Sequence, residues 1–391
     1  MSRRLLTTVA AVVATAALCS SVVGVQAASA SRFLQHGIFD DAQIHFGNPD
    51  RVFPVLKQLR TQLIRINLVW GGVGGVARRR PANPTNPNDP AYDWSAYDRT
   101  VNYAQQYGMK VVFAVIGTPP WANRAAGVNV APRNALDLQR FTAAAARRYS
   151  GSFRAPDGRI LPPVRHWLAW NEPNNPVFLR PQFRRVRGRQ VLQGAISYAK
   201  ICNAIVKGIR TTSVGASKVA CGVTGPRGNN NPSSSRPSTS PLPFLRAMRK
   251  AGAVGFNAYA HHPYYGKRQE TPSTPPPQAS RGQLPTAVTL GNINVLIAEV
   301  TRLWGKKRIW ITEYGYQTNP PDRIFGVTFA QQGRYLTQAY GMAKRHPRID
   351  MFLWFLLRDE RRALEEGWQS GLLTDTGRKK PAFTAFQRLR R

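Results

Sequence analysis

Acidic residues and cysteines are both scarce in this chain, and each shortage narrows what the protein can be. Asp and Glu number 19 against 55 Lys and Arg among 391 residues, which gives a formal net charge of +36. Burying an unpaired carboxylate is costly, so a carboxylate at the end of an apolar strand needs a partner or a function. The three cysteines form no cluster with histidine at ligand spacing, which argues against a metal centre or a catalytic thiol.

Long hydrophobic runs are also missing, except at the N-terminus. There, Arg3 and Arg4 precede an apolar run over residues 5–18, and small residues follow up to Ala30. This pattern is typical of secretion, so we predict a signal peptide over residues 1–30 and a secreted mature protein. No later segment has the length and apolarity of a membrane span, so none is expected after signal cleavage.

Two cysteines, Cys202 and Cys221, remain after the signal, in a compartment where disulfides persist. Cys202 falls within a predicted helix and Cys221 within the strand that follows it. Because such a helix and strand run antiparallel, the two residues can lie at similar height. A disulfide and two buried thiols are both compatible with this placement.

The excess of positive charge is compatible with nucleic acid, an anionic membrane or an acidic polysaccharide as partner. The basic residues are mostly arginine, with local clusters at residues 78–80 and 184–189. No helix-turn-helix, zinc-finger or RNA-recognition pattern accompanies them, so a nucleic-acid partner is not expected. Adaptation to an acidic medium or to an anionic wall explains the charge better. Anionic cell-wall or extracellular glycans are therefore the partners that it favours.

A short apolar run, an irregular stretch and a helical segment alternate along the chain, which is the βα repeat of a parallel sheet. The eight predicted strands are 37–39, 63–70, 110–116, 165–171, 218–224, 255–262, 308–314 and 351–355. Their mostly continuous apolar character suits strands that are covered on both faces. The predicted fold class is therefore α/β, a (β/α)8 TIM barrel, as one domain over residues 31–391.

The links between these elements differ in length. Those from helix to strand are short, whereas those from strand to helix are long, notably residues 71–94, 226–243 and 266–285. Interdomain linkers are the alternative interpretation, but each long stretch is followed by the next element of the same alternation. In a TIM barrel the long links emerge at the C-terminal ends of the strands, where active sites lie.

Two glutamates end apolar strands in this pattern. Residues 164–170 run into Asn171 and Glu172, and residues 309–312 run into Glu313, which are the ends of predicted strands four and seven. In an eight-stranded barrel these strands lie on opposite sides of the mouth, so their last residues can face each other across a bound sugar. Cleavage of a glycosidic bond needs two such carboxyl groups, one protonated and one ionised.

The segments Trp-Asn-Glu-Pro-Asn at 170–174 and Ile-Thr-Glu-Tyr-Gly at 311–315 resemble the strand-four and strand-seven signatures of clan A glycoside hydrolases, especially families 5 and 39. The resemblance spans about residues 36 to 391. It implies that Glu172 is the general acid/base and Glu313 the nucleophile of a carbohydrate-cleaving enzyme. No metal and no organic cofactor are expected.

Other polar positions fit the same resemblance. Arg65 resembles the strand-two arginine that holds the nucleophile ionised. His262 and Tyr264 resemble the strand-six His-x-Tyr, whose tyrosine hydrogen-bonds the nucleophile. Asn171 is expected to bind the sugar 2-hydroxyl. These residues are predicted to bind substrate or to support the two glutamates.

Two tryptophans complete the predicted site. Trp354 resembles the strand-eight tryptophan that forms the floor of the sugar site, and Trp121 lies in a Thr-Pro-Pro-Trp-Ala segment that is familiar from the same group. Tryptophan is also highly buried on average, so a core position is the alternative for both. Their placement at the ends of strands favours stacking on sugar rings.

The resemblance predicts double displacement with retention of configuration. Glu313 attacks the anomeric carbon while Glu172 protonates the leaving oxygen, and Glu172 then activates water. The two carboxyl groups are expected about 5 to 5.5 Å apart, whereas a gap near 8 Å indicates inversion. The expected substrate is a polysaccharide or oligosaccharide, with β-linked bonds.

Three other functions stay open on the sequence alone. A transglycosylase uses the same residues and differs in how an acceptor sugar competes with water. A non-catalytic carbohydrate-binding or cell-wall-binding barrel hydrolyses no polysaccharide. A basic nucleic-acid or wall-adhesion protein binds with a steep salt dependence that survives mutation of both glutamates.

Overall fold

The strands build one closed parallel barrel. In the computed structural model the described residues are 31–389 without 213–216, 278–285 and 362–366, so the signal peptide predicted over residues 1–30 lies outside them. The described strands are β1 (Gln35–Phe39), β2 (Leu63–Val69), β3 (Lys110–Ile116), β4 (His166–Ala169), β5 (Arg184–Val186), β6 (Arg189–Val191), β7 (Lys218–Thr224), β8 (Ala258–His261), β9 (Arg308–Tyr314) and β10 (Ile349–Phe355). Apart from β5 and β6, they pair in the order β1, β2, β3, β4, β7, β8, β9, β10 and back to β1. The predicted TIM barrel is confirmed.

Helices cover the outside of the barrel. Those described are α1 (Asp41–Ile44), α2 (Pro49–Gln58), α3 (Ser95–Gln106), α4 (Pro120–Asn123), α5 (Ala135–Arg148), α6 (Gln193–Arg210), α7 (Pro241–Lys250), α8 (Ile293–Trp304), α9 (Phe329–Arg345) and α10 (Pro381–Gln387). Local chemistry sets their ends: Thr328 and Gln331 form a reciprocal capping box before α9, and Gly305 ends α8 with a φ of 78°. None of the helices described is long and apolar enough to cross a bilayer.

Two layers of apolar side chains stabilise this arrangement. The inner layer fills the barrel and consists of Leu63, Val112, Ala114, Leu168, Ala220, Val223, Ala258, Ala260, Trp310, Met351 and Leu353. A larger layer lies between the strands and the helices. Because the interior of the barrel is filled, a ligand can bind only at one of its ends.

The predicted strand bounds are close to the observed ones, with one informative difference. The predicted strands 110–116, 218–224 and 308–314 have the bounds that the structure gives them. The fourth strand, predicted over 165–171, ends at Ala169, because Trp170 has a left-handed φ of 71°. An extended strand cannot continue through that conformation, so Asn171 and Glu172 lie in the loop beyond β4.

The strands β5 and β6 form a hairpin outside the barrel, which the sequence did not predict. They pair antiparallel, with Arg184 opposite Val191. Their two-residue turn, Arg187 and Gly188, has φ values of 49° and 77°. Two positive φ values in succession are typical of the type I′ turn that matches the twist of a hairpin. The hairpin belongs to the long connection between β4 and α6.

A disulfide joins the cysteines of α6 and β7. Cys202 and Cys221 lie 19 positions apart with their Cα atoms 5.9 Å from each other, and both side chains are buried. Of the two possibilities that the sequence left open, the structure has the disulfide. The disulfide links helix α6 of the outer ring covalently to strand β7, which follows it.

Removing this disulfide is expected to destabilise the barrel without altering the site. A Cys202→Ala and Cys221→Ala double variant should lose roughly 3 kcal/mol of unfolding free energy, because its denatured chain is no longer restricted by a closed loop. Urea denaturation of parent and variant measures the loss. An unchanged midpoint in non-reducing buffer would contradict the bond.

Candidate active site

The two predicted catalytic glutamates meet at the C-terminal end of the barrel. Glu313 is the penultimate residue of β9 and is 7% exposed, and Glu172 lies in the loop after β4. One carboxylate oxygen of Glu172 and one of Glu313 lie within 4.8 Å of each other. This spacing suits the about 5 Å of a retaining pair and is shorter than the about 6.5 to 9.5 Å that accommodates a water molecule in inverting enzymes.

A β-bulge turns Glu313 into the barrel mouth. Opposite two residues of β10, the strand β9 advances by three, from Ile311 to Tyr314, so it holds one extra residue there. Ile311 packs in the layer between strands and helices, and strict alternation would place Glu313 on that same side. The extra residue breaks the alternation, and the Glu313 carboxylate contacts Arg65 inside the mouth.

Three side chains surround the Glu313 carboxylate. Arg65 Nη1 donates to Oε1 over 2.8 Å, and the Tyr264 hydroxyl donates to Oε2 over 3.2 Å. His262 Nδ1 lies 3.6 Å from Oε2. Arg65 is fully buried, so the ion pair lies inside the protein. This environment suits an ionised carboxylate that acts as a nucleophile.

Arg65 also connects the strand that carries Glu313 to the loop that carries Glu172. Its Nη1 donates to the Thr312 carbonyl over 3.0 Å, and its Nη2 donates to Asn171 Oδ1 over 2.7 Å. The guanidinium carbon lies 4.1 Å from the centre of the Phe39 ring. Because one rigid fork binds residues next to both glutamates, Arg65 fixes their separation.

His262 lies between the two carboxylates and is neutral. Burial lowers its pKa to about 3, against the opposing charge of Glu313 and with a smaller contribution from the charge of Arg65. Its Nε2 lies 3.3 Å from Arg65 Nη1, which only donates, so we assign the ring proton to Nδ1. That nitrogen lies 3.0 Å from Glu172 Oε1 and therefore donates to it.

Glu172 is held where it can carry a proton at neutral pH. Burial raises its pKa to about 7, and a hydrogen bond from Asn175 and the charge of Arg65 oppose the shift. Its backbone has a φ of 32°, a conformation that non-glycine residues adopt rarely and that occurs often at functional sites. A Cβ atom on Gly225 would lie 3.0 Å from the Glu172 carboxyl carbon, so a larger residue there would crowd this side chain.

The same group could in principle bind a metal ion, because Glu172, His262 and Glu313 present ligand atoms close together. Arg65, however, places a fixed positive charge on Glu313 Oε1. A cation bound beside a buried guanidinium is repelled by it. The arrangement therefore favours proton transfer and nucleophilic attack over metal binding.

A cavity of about 930 Å³ opens above the glutamates. It is lined by Asn171, Glu172, Tyr264 and Glu313, together with Phe39, Asp40, Asp41, Ala42, Phe46, Asn67, Asn175, Val177, Phe178, Pro226, Arg227, Arg236, Tyr265, Gly266, Gly315, Gln317, Phe325, Phe355, Leu356, Glu360, Trp368 and Ser370. Apolar walls with a few converging polar groups are typical of a small-ligand site. A cavity of about 1020 Å³ at the opposite end of the barrel contains none of the predicted site residues.

Four of the predicted site residues are not among those that line this cavity. Arg65 and His262 are buried in contact with Glu313, whereas Trp354 and Trp121 lie elsewhere. Trp354 is fully buried and donates its Nε1 hydrogen to the Ser370 carbonyl. Because Leu353 points into the barrel, the next side chain along the strand points towards the helices, so the prediction that Trp354 forms the floor of the sugar site is wrong. Trp121 packs edge-on against Trp70 and is not among the residues that line the cavity, so its contact with substrate stays a prediction.

Phe355 and Trp368 line the cavity, whereas Trp354 and Trp121 do not. Phe355 follows Trp354 and therefore faces the cavity, and its ring packs edge-on against Trp368 at 5.8 Å. Trp368 is 48% exposed, so part of its side chain is accessible for contact with a sugar. The alternation of β10 could have identified Phe355, whereas Trp368 lies in a loop for which no sequence period applies.

Sequence reasoning also missed two acidic residues after β1. Asp41 accepts hydrogen bonds from the backbone and side-chain amides of Asn67, over 3.0 and 2.7 Å. Asp40 accepts from the backbone amides of Leu357 and Arg358. Burial raises the pKa of Asp40 to about 6 and that of Asp41 to about 7. Both line the cavity and make its wall acidic.

The different positions of Trp368 in the cavity wall and Trp354 in the core have a measurable consequence. A Trp368→Ala variant should raise KM about 2- to 10-fold, because one aromatic contact with the sugar is lost, while its thermal stability stays near that of the parent. Trp354→Phe is the matched control and should lower the melting temperature with KM unchanged. Steady-state kinetics and thermal melts of both variants check this, and the reverse pattern would contradict the assignment.

Arg65 is expected to contribute strongly to stability as well as to the site. Replacing it with Gln leaves the Glu313 carboxylate buried without its partner, which should cost about 3 to 5 kcal/mol of unfolding free energy at pH 7. In a Glu313→Gln background the same substitution should cost much less, and denaturant titrations of the four proteins measure the difference. Arg159→Gln, which removes an exposed pair with Asp157, serves as the surface control. Equal costs in both backgrounds would contradict the coupling.

The barrel is similar to solved structures of clan A glycoside hydrolases. A family 39 glycoside hydrolase from Bacteroides cellulosilyticus WH2 aligns with a TM-score of 0.62 and 17% identity, over 90% of this chain and 62% of that one. A glucosidase from Croceicoccus marinus aligns with a TM-score of 0.61 and 15% identity, over 92% of this chain and 66% of that one. This chain thus spans slightly less than two thirds of either structure.

One chain from a description of two fungal β-1,4-galactanases is similar over nearly its full length. The alignment has a TM-score of 0.55 and 14% identity, and covers 91% of this chain and 99% of that one. At such identities the likeness is one of fold, and at that level the resemblance to clan A is confirmed. No curated protein shows significant sequence similarity to the chain. The protein family described as a family of unknown function, DUF5722, matches residues 93–390, and the chain belongs to this family.

Proposed function

We propose that the protein is a secreted retaining glycoside hydrolase that cleaves β-linked O-glycosidic bonds of a polysaccharide or oligosaccharide. The observation that carries the proposal is the pair Glu172 and Glu313, whose carboxylate oxygens lie within 4.8 Å at the barrel mouth. One has a pKa raised to about 7 by burial, and the other is ion-paired with buried Arg65. Two carboxyl groups in such different environments suit an acid and a nucleophile.

In the first step the Glu313 carboxylate attacks the anomeric carbon. The bond from that carbon to the leaving oxygen breaks, and the proton of Glu172 passes to this oxygen. The sugar is then bound covalently to Glu313, and Glu172 is ionised. The hydrogen bond from His262 Nδ1 to Glu172 Oε1 is kept, and it stabilises the new negative charge on Glu172.

In the second step Glu172 acts as a base. It takes a proton from a water molecule, the oxygen of that water attacks the anomeric carbon, and the bond to Glu313 breaks. Two inversions restore the original configuration. Asn171, held by Arg65, lines the cavity beside the acid and is placed to bind the sugar hydroxyl next to the reacting carbon.

The similar structures support the proposed linkage, and the N-terminus and the disulfide support the proposed location. The glucosidase and the β-1,4-galactanases among the similar structures act, by their names, on glycosides, the latter on a β-linkage. This favours a β-linked substrate here. The signal-peptide pattern at residues 1–30 and the disulfide between Cys202 and Cys221 support secretion.

A substrate screen tests the proposal. The mature protein and its Glu172→Gln and Glu313→Gln variants are incubated with a panel of polysaccharides and aryl β-glycosides, and released reducing ends are measured. We expect at least one substrate to be hydrolysed by the parent and by neither variant. Equal rates for parent and variants, or no hydrolysis across the panel, would count against the proposal.

A further inference from the structure

We propose that the hairpin of β5 and β6, residues 184–191 and called here the arginine hairpin, binds the acidic groups of a carboxylate-bearing polysaccharide. The inference rests on the proposed function, and it adds the chemical class of the substrate. The sugar that reacts in the cavity is uncharged, whereas the chain that leads to it carries carboxylates.

The first support is the unpaired charge of the arginine hairpin. Four of its eight residues are arginine, namely Arg184, Arg185, Arg187 and Arg189, and all four are exposed. Within the described part of the chain, no carboxylate lies within 4.0 Å of these guanidinium groups. Like charges concentrated on a short hairpin repel each other, and the described residues supply no counter-charge within that distance.

The described residues of the hairpin also form no packed apolar face that would stabilise it. Pairing places Arg184, Val186, Arg189 and Val191 on one face and Arg185 with Gln190 on the other. Basic side chains thus project from both faces as well as from the turn at Arg187. A two-stranded hairpin without a packed face is marginally stable by itself, so packing does not account for this sequence.

The second support is the link between the hairpin and the site. Buried Gln182, two residues before the hairpin, donates from Nε2 to the carbonyls of Pro173 and Leu179, over 2.8 and 2.6 Å. Pro173 directly follows Glu172. Phe178 lines the cavity, and the six residues from it to Arg184 span roughly 20 Å at most. The hairpin therefore lies no more than about 20 Å from this wall of the cavity, a distance that a few sugar units of a bound glycan can span.

The charge of the cavity distinguishes the two parts of the substrate. Its lining includes the carboxyl groups of Asp40, Asp41 and Glu360 besides the two catalytic ones. Of its two arginines, Arg227 is paired with Glu270 over 3.2 Å, which leaves Arg236 as one positive charge against these carboxyl groups. A carboxylate on the reacting sugar would meet these acids, whereas a carboxylate further along the chain would meet the forked donors of arginine, which match its two oxygens.

A matched charge experiment tests the inference. In a catalytically inactive Glu172→Gln, Glu313→Gln protein, the four hairpin arginines are replaced by Gln. The control replaces four exposed arginines at the opposite end of the barrel, Arg60, Arg249, Arg345 and Arg388, by Gln. Both variants lose the same net charge, so general attraction to polyanions is reduced equally. Binding to carboxymethyl cellulose, hydroxyethyl cellulose, polygalacturonate and single-stranded DNA is measured at two salt concentrations.

The hairpin variant should bind the two carboxylated polymers at least about 10-fold more weakly than the control variant, with no difference on neutral hydroxyethyl cellulose. Equal losses in the two variants would overturn the proposal, as would a hairpin-specific loss only on DNA. Circular dichroism melts establish that both variants are folded. Because binding is measured without turnover, a failure here is separate from a failure to hydrolyse any glycan.

Discussion

Replacing Glu313 with glycine is expected to lower hydrolysis by at least about 10⁴-fold, because the side chain that forms the covalent bond to the sugar is lost. Added azide should then restore turnover. The small anion can occupy the space of the lost carboxylate beside Arg65 and attack the anomeric carbon from the same face. From an aryl β-glycoside the product should be the α-glycosyl azide, which NMR identifies.

The anomer of the azide product distinguishes the two glutamates. With Glu172→Gly, Glu313 still forms the covalent intermediate, and azide attacks this from the opposite face to give the β-azide. Glu360→Ala is the control, because Glu360 lines the cavity but is outside the pair. It should need no azide. A β-azide from the Glu313 variant, or full activity without azide, would contradict the assignment of the nucleophile.

The second large effect concerns Glu172, whose replacement by Gln should slow cleavage of substrates with poor leaving groups about 10²- to 10⁴-fold. An aryl glycoside with an acidic phenol needs little protonation, so its first step should be affected much less. The pH dependence follows the same group. Glu172 must be protonated to donate, and its pKa is raised to about 7, so kcat/KM of the parent should fall as the pH rises through about 7.

The variant series separates Glu172 from its acidic neighbour. Asp41 has a pKa raised by burial to about 7 as well, so it is an alternative source of the alkaline limb. With an activated aryl glycoside, the limb should disappear in Glu172→Gln and persist in Asp41→Asn. His262 has a pKa lowered to about 3 and is uncharged on both sides of the limb. Loss of the limb in the Asp41 variant alone would assign it to Asp41.

The barrel and the position of the glutamates could be predicted from local sequence because each strand is covered on both sides. Such strands are continuous apolar runs, so Glu313 at the end of residues 309–312 was conspicuous in a chain with few acidic residues. The direction in which the glutamate side chains point, into the barrel mouth, could not be predicted. Glu313 depends on the bulge in β9, and bulges have no strong sequence signal.

The errors have the same physical origin. Successive side chains of a strand point to opposite sides, so an error of one residue decides which side chain faces the cavity. Phe355 faces the cavity, and Trp354, for which that position was predicted, points towards the helices. Trp368 and Asp41 lie in connections whose path is set by tertiary contacts rather than by a period. The arginine hairpin was visible only as a cluster of charge, since its pairing depends on the turn at Arg187 and Gly188.

The central claim is that Glu172 and Glu313 act on opposite sides of one sugar as a retaining pair. The most direct test is proton NMR of the first product released from a β-glycoside, recorded before mutarotation equilibrates the anomers. The account predicts that the β-anomer appears first and the α-anomer later. Initial release of the α-anomer would mean single displacement by water and would contradict it.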